Sequence, residues 1–370
     1  MSSISRVINN PIINITDDNG LEVFIQTIGD PHLGKTFRTG VPSSKLGFRE
    51  NLVLKQFSDL LNPDENLKIN YVVIMGDLFD KFVVSPTIVN KTSSIIQQAV
   101  SDNKNITYFI IPGNHDLSKD STKTSSYGLL YEILSKTNLA NLYTLYKESS
   151  IFEVSPHLYF YLDVYNPFHT ELEEPLDDPF EEISPTAKVI SFGHWDSIKN
   201  DFAQYLPNYH IKDRSSTIVS GHIHTPETFI SEGTKYIYTG SIQPFTHGED
   251  PNSEYYVTYK YNEIESFIDN KNVKKLEEIS LKNLRINCYP GYVLTGPIDS
   301  LSIVYNNVLE IPKEISEDME VIDISSAQIT DFTTLYLHKL KNDYDIDSDL
   351  ILKINNFLKD DSKDVSFTLD

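Results

Sequence analysis

The sequence predicts an α/β fold, on three observations. Leu21–Ile28, Tyr71–Met75 and Thr107–Ile111 are short apolar runs of the kind that form strands buried on both faces. Segments with helical spacing separate them, which points to βαβ units and a largely parallel sheet. Each run stops at glycine or proline, followed by aspartate, asparagine and histidine, at the strand ends where such sheets place their sites.

The elements follow in order. Leu21–Ile28 ends in Gly29-Asp30-Pro31-His32-Leu33-Gly34-Lys35, and residues 35–45 carry several cations and read as a loop. Leu46–Leu61 spaces Leu46, Val53, Leu54, Phe57, Leu60 and Leu61 as a helix does. Tyr71–Met75 ends in Gly76-Asp77-Leu78-Phe79-Asp80. A helix is expected from about Pro86, with Ser85 as its N-cap and proline in its first turn. Thr107–Ile111 ends in Pro112-Gly113-Asn114-His115-Asp116, and Tyr127–Ser135 reads as a helix. Ile151–Val154, Leu158–Val164 and Lys188–Phe192 read as strands, the last running into Gly193-His194-Trp195-Asp196. Glu171–Ser184 is an acidic, proline-broken loop. Thr217–Ser220 leads into Gly221-His222-Ile223-His224-Thr225-Pro226, and Lys235–Thr239 into Gly240-Ser241. Tyr255–Tyr261 is strand-like, and the polar run Asp269–Glu278 marks a boundary near 265–280. Residues 281–323 read as a small mixed segment. Ala327–Leu340 and Leu350–Leu358 form a helical hairpin, and the Asp-rich turn between them lacks the glycine and terminal glutamate of a calcium loop.

Composition narrows the function. The chain has 370 residues, one cysteine and a formal net charge of −22. That charge argues against broad electrostatic wrapping of nucleic acid, which needs clustered Lys and Arg. A single cysteine excludes an internal disulfide and suits a reducing compartment. The polar N-terminal stretch shows no signal peptide and no apolar run reaches membrane-spanning length. A soluble, intracellular, cytoplasmic protein without membrane contact is therefore expected.

The strand-end motifs gather Asp30 and His32, Asp77, Asn114 and His115, His194, and His222 and His224. Residues two apart on an extended chain face one side, so His222 and His224, like Asp30 and His32, are expected to aim at one place. Gly221 would let the backbone come close to it. Carboxylate, amide and imidazole together suit Mn²⁺, Fe²⁺ or Zn²⁺, and the absence of cysteine disfavours a structural zinc. So many ligands exceed one tetrahedral ion and fit two. Metal pairs roughly 3.5–4 Å apart serve phosphoryl transfer by stabilising the attacking and leaving oxygens. The other five histidines read as surface or structural.

Four motifs in order, D-x-H, G-D-x-x-D, G-N-H-D and G-H-x-H, resemble the calcineurin-like metallophosphoesterases. Asp30-Pro31-His32-Leu33-Gly34 and Gly76-Asp77-Leu78-Phe79-Asp80 look most like the SbcD-type DNA double-strand-break repair nucleases. Gly193-His194-Trp195, Gly221-His222-Ile223-His224-Thr225 and Gly240–Asp250 look like the recombination endonuclease subunit of large tailed phages. The resemblance covers roughly residues 22–260, extends weakly to 325–360 and does not match 281–323 convincingly.

The resemblance implies a core of two mixed β-sheets flanked by helices over residues 1–265. A small capping, DNA-contacting segment (280–323) and a C-terminal helical hairpin (325–360) that binds an SbcC-type ATPase would follow. Asp30, His32 and His224 would hold one ion and Asn114, His194 and His222 the other, with Asp77 bridging. The ions would be Mn²⁺, with Mg²⁺ as the alternative. His115 would stay off the metals and face substrate, with Asp116 orienting its ring. Lys35, Arg38 and Lys81 are candidate contacts to DNA phosphates. The implied activity is a 3′–5′ exonuclease with endonuclease ability at DNA ends. It would act in recombination, repair and phage replication, as a homodimer in the host cytoplasm. A phosphatase or small-molecule phosphodiesterase is the alternative within the superfamily. Lys81-Phe82 and Asp116 stand where protein phosphatases of this fold have arginine-glycine and glutamate. A non-catalytic scaffold subunit is the alternative outside enzymes.

Overall fold

Strands buried on both faces account for most of the architecture. In the computed structural model, Tyr71–Met75 (β3) turns Val72 and Ile74 to one core, and Val73 and Met75 to another. Thr107–Ile111 (β4) does the same, with Tyr108 and Ile110 on one side and Phe109 and Ile111 on the other. This two-sided burial produces the unbroken apolar runs in the sequence.

The structure describes residues 11–117, 120, 123–167, 178–197, 207–250, 252, 254–294 and 296–310. Nearly all belong to one compact unit that runs through Cys288 and includes Tyr292–Asn307. The hairpin expected over 325–360, and residues 171–177 of the acidic loop, lie outside the described residues.

The first sheet contains Ile12–Thr16 (β1), Glu22–Ile28 (β2), β3, β4 and Leu142–Thr144 (β5), in that order. β1 is antiparallel to β2, and the rest pair in parallel. The second sheet uses Ser150–Ser155 (β6), Leu158–Leu162 (β7), Lys188–Gly193 (β8), Thr217–Ser220 (β9), Glu227–Ser231 (β10) and Thr234–Tyr238 (β11). Its order is β10-β11-β9-β8-β7-β6, parallel inside and antiparallel at both edges. Val23, Ile25, Val73, Met75 and Phe109 of the first sheet pack with Phe160, Phe192 and Val219 of the second in one core.

Helices cover the outer face of the first sheet. They are Phe48–Leu61 (α1), Pro86–Asp102 (α2) and Ser126–Leu134 (α3), which share a core with Val72, Ile74 and Ile110. The Ser85 side chain caps α2 by accepting the Ile88 amide. The short helix Tyr209–Arg214 (α4) places Ile211 in a third core, beside Val189, Trp195 and Ile218 on the second sheet's outer face. The result is a mixed α/β fold, with sheets flanked by helices.

A third, parallel sheet joins Tyr256–Lys260 (β12), Asn283–Cys288 (β13) and Ser302–Asn307 (β14). Two helices link β12 to β13, Tyr261–Asp269 (α5) and Val273–Ser280 (α6). The polar run read as a boundary is therefore largely helical, each helix burying one apolar residue, Ile264 and Ile279. β12, from before the expected boundary, shares its sheet with β13 and β14 from after it.

Phe57 of α1 is fully buried against the first sheet. Phe57→Ala should destabilise the fold by about 3–5 kcal/mol through lost transfer energy and the remaining cavity. Denaturant unfolding at constant m-value checks this.

Candidate metal centre

The candidate residues leave the strand ends through sharp turns, and four of them have positive φ: Asp30 (40°), His32 (45°), Asp77 (46°) and His222 (71°). L-residues avoid this region at a cost of roughly 1–2 kcal/mol each. The backbone there is turned rather than extended; Asp30 and His32 still aim at one place as expected, but the His222/His224 pair does not. His222 and His224 turn to different neighbours.

His224 faces one side. Its Nε2 lies 3.0 Å from His32 Nε2, and Asp30, His32 and His224 offer ligand atoms within 4.8 Å of one another. His222 faces the other side. Its Nδ1 lies 3.1 Å from Asn114 Oδ1, which lies 2.9 Å from His194 Nε2. Asp77, His194 and His222 form a second cluster by the same measure. Asp77 stands between the two. Its Oδ1 is 3.3 Å from His194 Nε2, and its Oδ2 is 3.7 Å from His32 Nε2.

Backbone groups fix these side chains. His194 Nδ1 donates to the Met75 carbonyl at 2.8 Å, which turns Nε2 towards Asp77 and Asn114. Asp30 accepts the His222 amide on both oxygens at 3.1 Å. A Cβ on Gly221 would sit 2.3 Å from the Met75 carbonyl oxygen and 2.8 Å from His194 Nδ1, so the close approach expected there is real. A Cβ on Gly113 would meet Asp77 Oδ1 at 2.3 Å.

His115 donates its backbone amide to Asp77 Oδ1 at 2.9 Å. Its ring Nδ1 donates to the Asp80 carbonyl at 2.6 Å, leaving Nε2 3.9 Å from Asp77 Oδ2. Its side chain is 42% exposed, against 2% for His32. By distance alone His115 also groups with His32 and Asp77. Asp116 does not orient the His115 ring as expected. Both its oxygens are taken by the amides of Leu78, Phe79 and Gly113, each at 3.0 Å. Asp116 instead clips the loops after β3 and β4 together.

Lys35 pairs with Asp80 at 2.9 Å, whereas Arg38 and Lys81 are exposed, with no side-chain bond to the cluster among the described residues. Trp195 is fully buried and donates to Asp163 at 2.9 Å, as a packing residue does. The sequence reading missed Glu249 and Phe245. Glu249 Oε2 lies 3.3 Å from His224 Nδ1, and the Phe245 ring packs edge-on to His32 and His224. The Gly248-Glu249-Asp250 run was the visible signal, but nothing in its spacing ties it to His224.

Burial and mutual charge set the protonation. Burial lifts the Asp30 carboxyl to about 7, with Asp77 adding to the rise and His194 opposing it. Burial also drives His32 down to about 3, against the pull of Asp77. It would lower His194 too, but the Asp77 carboxylate outweighs it and carries that imidazole up to about 10. Asp77 itself stays below the ordinary carboxylate range, since the histidines around it outweigh its burial. His222 is lowered by burial and by His194. Burial would lower His224, but its bond to Glu249 and the nearby charges of Asp30, Glu249 and Asp77 together raise it.

The donor set fits divalent cations. Two imidazole nitrogens converge at 3.0 Å, one amide oxygen faces two more, and buried carboxylates lie between. Such an all-nitrogen-and-oxygen set suits borderline divalent ions.

A two-sheet sandwich with this cluster at its strand ends defines a metal-dependent phosphoesterase. The family model described as calcineurin-like phosphoesterase matches residues 27–226, and the chain belongs to that family. The family and the paired clusters make this a dimetal site. Among solved structures, the chain is similar to a dimetal phosphatase from Danio rerio, at 11% identity and a TM-score of 0.36 over 59% of this chain and 87% of that one. The phosphopantetheinyl hydrolase PptH from Mycobacterium tuberculosis matches at 10% identity and a TM-score of 0.35, over 60% and 93%. GAP50, the anchor in the inner membrane complex of Plasmodium, matches at 15% identity and a TM-score of 0.35, over 59% and 71%. No curated protein matches significantly. Among the described residues no helix is long and apolar enough to cross a membrane.

Ligation needs Asp30 ionised and His194 neutral, so metal entry must displace protons held near pH 7 and above. Mn²⁺ affinity should rise as pH rises from about 6 to 9, with net proton release. Calorimetric titration in buffers of different ionisation enthalpy checks both.

Proposed function

We propose that the protein is a two-metal DNA nuclease, a 3′–5′ exonuclease with endonuclease ability, and the nuclease subunit of an SbcC-type ATPase complex. The observation that carries this reading is the Gly76–Asp80 segment. Its Asp77 stands between the clusters, its Asp80 carbonyl fixes the exposed His115 ring, and its Asp80 carboxylate holds Lys35. The same five residues resemble the SbcD-type nucleases most closely in the sequence. Lys81-Phe82 and Asp116 depart from the protein-phosphatase pattern.

Asp30, His32 and His224 would hold one ion and Asn114, His194 and His222 the other, with one Asp77 oxygen towards each. Bound Mn²⁺ or Mg²⁺ would neutralise charge that develops on the phosphoryl oxygens. The chain's own part is then positioning and proton transfer. With Nδ1–H committed to the Asp80 carbonyl, His115 as imidazolium would donate its Nε2 proton to the leaving oxygen of the scissile phosphodiester. Lys35, Arg38 and Lys81 line the approach of the DNA phosphates. Residues 280–323 cap the DNA, residues 325–360 bind the ATPase, and helices of the N-terminal half form a homodimer.

One observation favours a second reading, a phosphatase or small-molecule phosphodiesterase. A net charge of −22 offers DNA little attraction beyond local cations.

Incubation with Mn²⁺ and linear duplex DNA, beside a chromogenic phosphodiester and a phosphomonoester, separates the two readings. Nucleotide release that His115→Asn lowers about 10²–10⁴-fold, with Mn²⁺ content unchanged, is the expected result. Activity confined to the monoester would sink the nuclease reading. Deleting residues 325–370 should abolish co-purification with an SbcC-type ATPase while sparing Mn²⁺-dependent hydrolysis. A truncated chain that still co-purifies would refute the hairpin's role.

A further inference from the structure

Arg49 lies in the first turn of α1, and its guanidinium is buried. It forms no ion pair among the described residues, although burying a charge without a counter-charge is costly. Its bonds all lead to one place. One terminal nitrogen donates to the Pro244 carbonyl at 2.7 Å. The other donates to the Tyr256 hydroxyl, which donates in turn to the Phe245 carbonyl. The guanidinium lies over the Phe37 ring at 4.0 Å and the Tyr256 ring at 4.8 Å, and Phe37 stacks on Phe245. Arg49 thus reaches this turn directly at the Pro244 carbonyl, and through Tyr256 and Phe37 at the Phe245 carbonyl and ring.

That turn supports one half of the metal centre. The Phe245 amide donates to Glu249 Oε2 at 2.8 Å, and the same oxygen lies 3.3 Å from His224 Nδ1. The Phe245 ring packs edge-on to His32 at 5.3 Å and to His224 at 5.7 Å between centroids. Among the described residues, His194 Nδ1 is fixed instead by the Met75 carbonyl.

We propose that Arg49 is a positioning residue for the Asp30–His32–His224 metal site, acting through the Pro244–Glu249 turn. It touches none of the three ligands. It sets where Glu249 and Phe245 stand, and they set the ring orientations of His224 and His32. Partners behind ligating histidines commonly change metal affinity about 10–100-fold when removed. The effect should fall on one ion only, because the Asn114–His194–His222 cluster does not use this turn. The inference rests on the dimetal reading of the site.

The test is a calorimetric Mn²⁺ titration of the full chain and of Arg49→Met, with anomalous scattering from Mn²⁺-soaked crystals identifying the weakened site. Arg49→Met should weaken the Asp30-side ion about 10–100-fold and leave the other unchanged, and Arg49→Lys should recover part of the loss. Tyr256→Phe removes one bond to the turn while keeping a buried ring. It should weaken the same ion by a smaller factor, and it decides the matter if Arg49→Met fails to give a cooperative melt. Equal weakening of both ions, or no change in either, would overturn the proposal. Wild-type protein binding fewer than two Mn²⁺ would instead overturn the dimetal reading, and this inference with it.

Discussion

The site depends on one buried carboxylate placed between imidazoles. Asp77 turns one oxygen to His194 and the other towards His32, and it also accepts the His115 amide. Set among imidazoles, this carboxylate draws protons onto His194 and remains ionised despite its burial. A divalent ion on each side would relieve the same electrostatic conflict without protons. The polypeptide thus stores charge in an arrangement that cations relieve.

Holding that arrangement requires backbone that L-residues avoid. Asp30, His32, Asp77 and His222 all take positive φ, so strain is concentrated where strands end and ligands begin. It persists because the strands behind these residues are locked. Val73 and Met75 before Asp77, and Val219 before His222, are fully buried between the two sheets. Asp116 adds three amide bonds that tie the β3 and β4 loops together. Rigid strands and a carboxylate clip offset the cost of bent ends.

This division explains what was legible in the sequence. Tyr71–Met75, Thr107–Ile111 and Thr217–Ser220 were readable to the residue, because two-sided burial leaves a continuous apolar run. The strand-end motifs were readable because chemistry restricts their residue types. Alternation along the chain puts Asp30 and His32 together, as they are, but does not give the split of His222 from His224, which only the resemblance implied and which the turn at His222 accompanies. Edge strands such as Ile12–Thr16 and Glu227–Ser231 are half polar and escaped notice. The helices Tyr261–Asp269 and Val273–Ser280 read as a polar boundary because each buries only one apolar residue. Arg49 and Glu249 were invisible for another reason. Arg49 is 195 positions from the Pro244 carbonyl it holds, and Glu249 sits in a separate turn from His224, so only the fold brings them together.

The two halves of the centre are built differently, and the difference has a physical consequence. On the Asn114 side, His194 is held by a carbonyl at the end of a central strand, which moves only if the sheet moves. On the Asp30 side, His224 is held by Glu249 in a turn that leads through Asp250 and Tyr256 into the third sheet. A rigid strand end and a turn anchored elsewhere cannot respond alike to a displacement of β12 to β14. Shifts in that sheet would reach His224 through side chains, while His194 stayed in place. His224 is therefore the ligand tied through Glu249 and Asp250 to the third sheet, and His194 the ligand tied to the core.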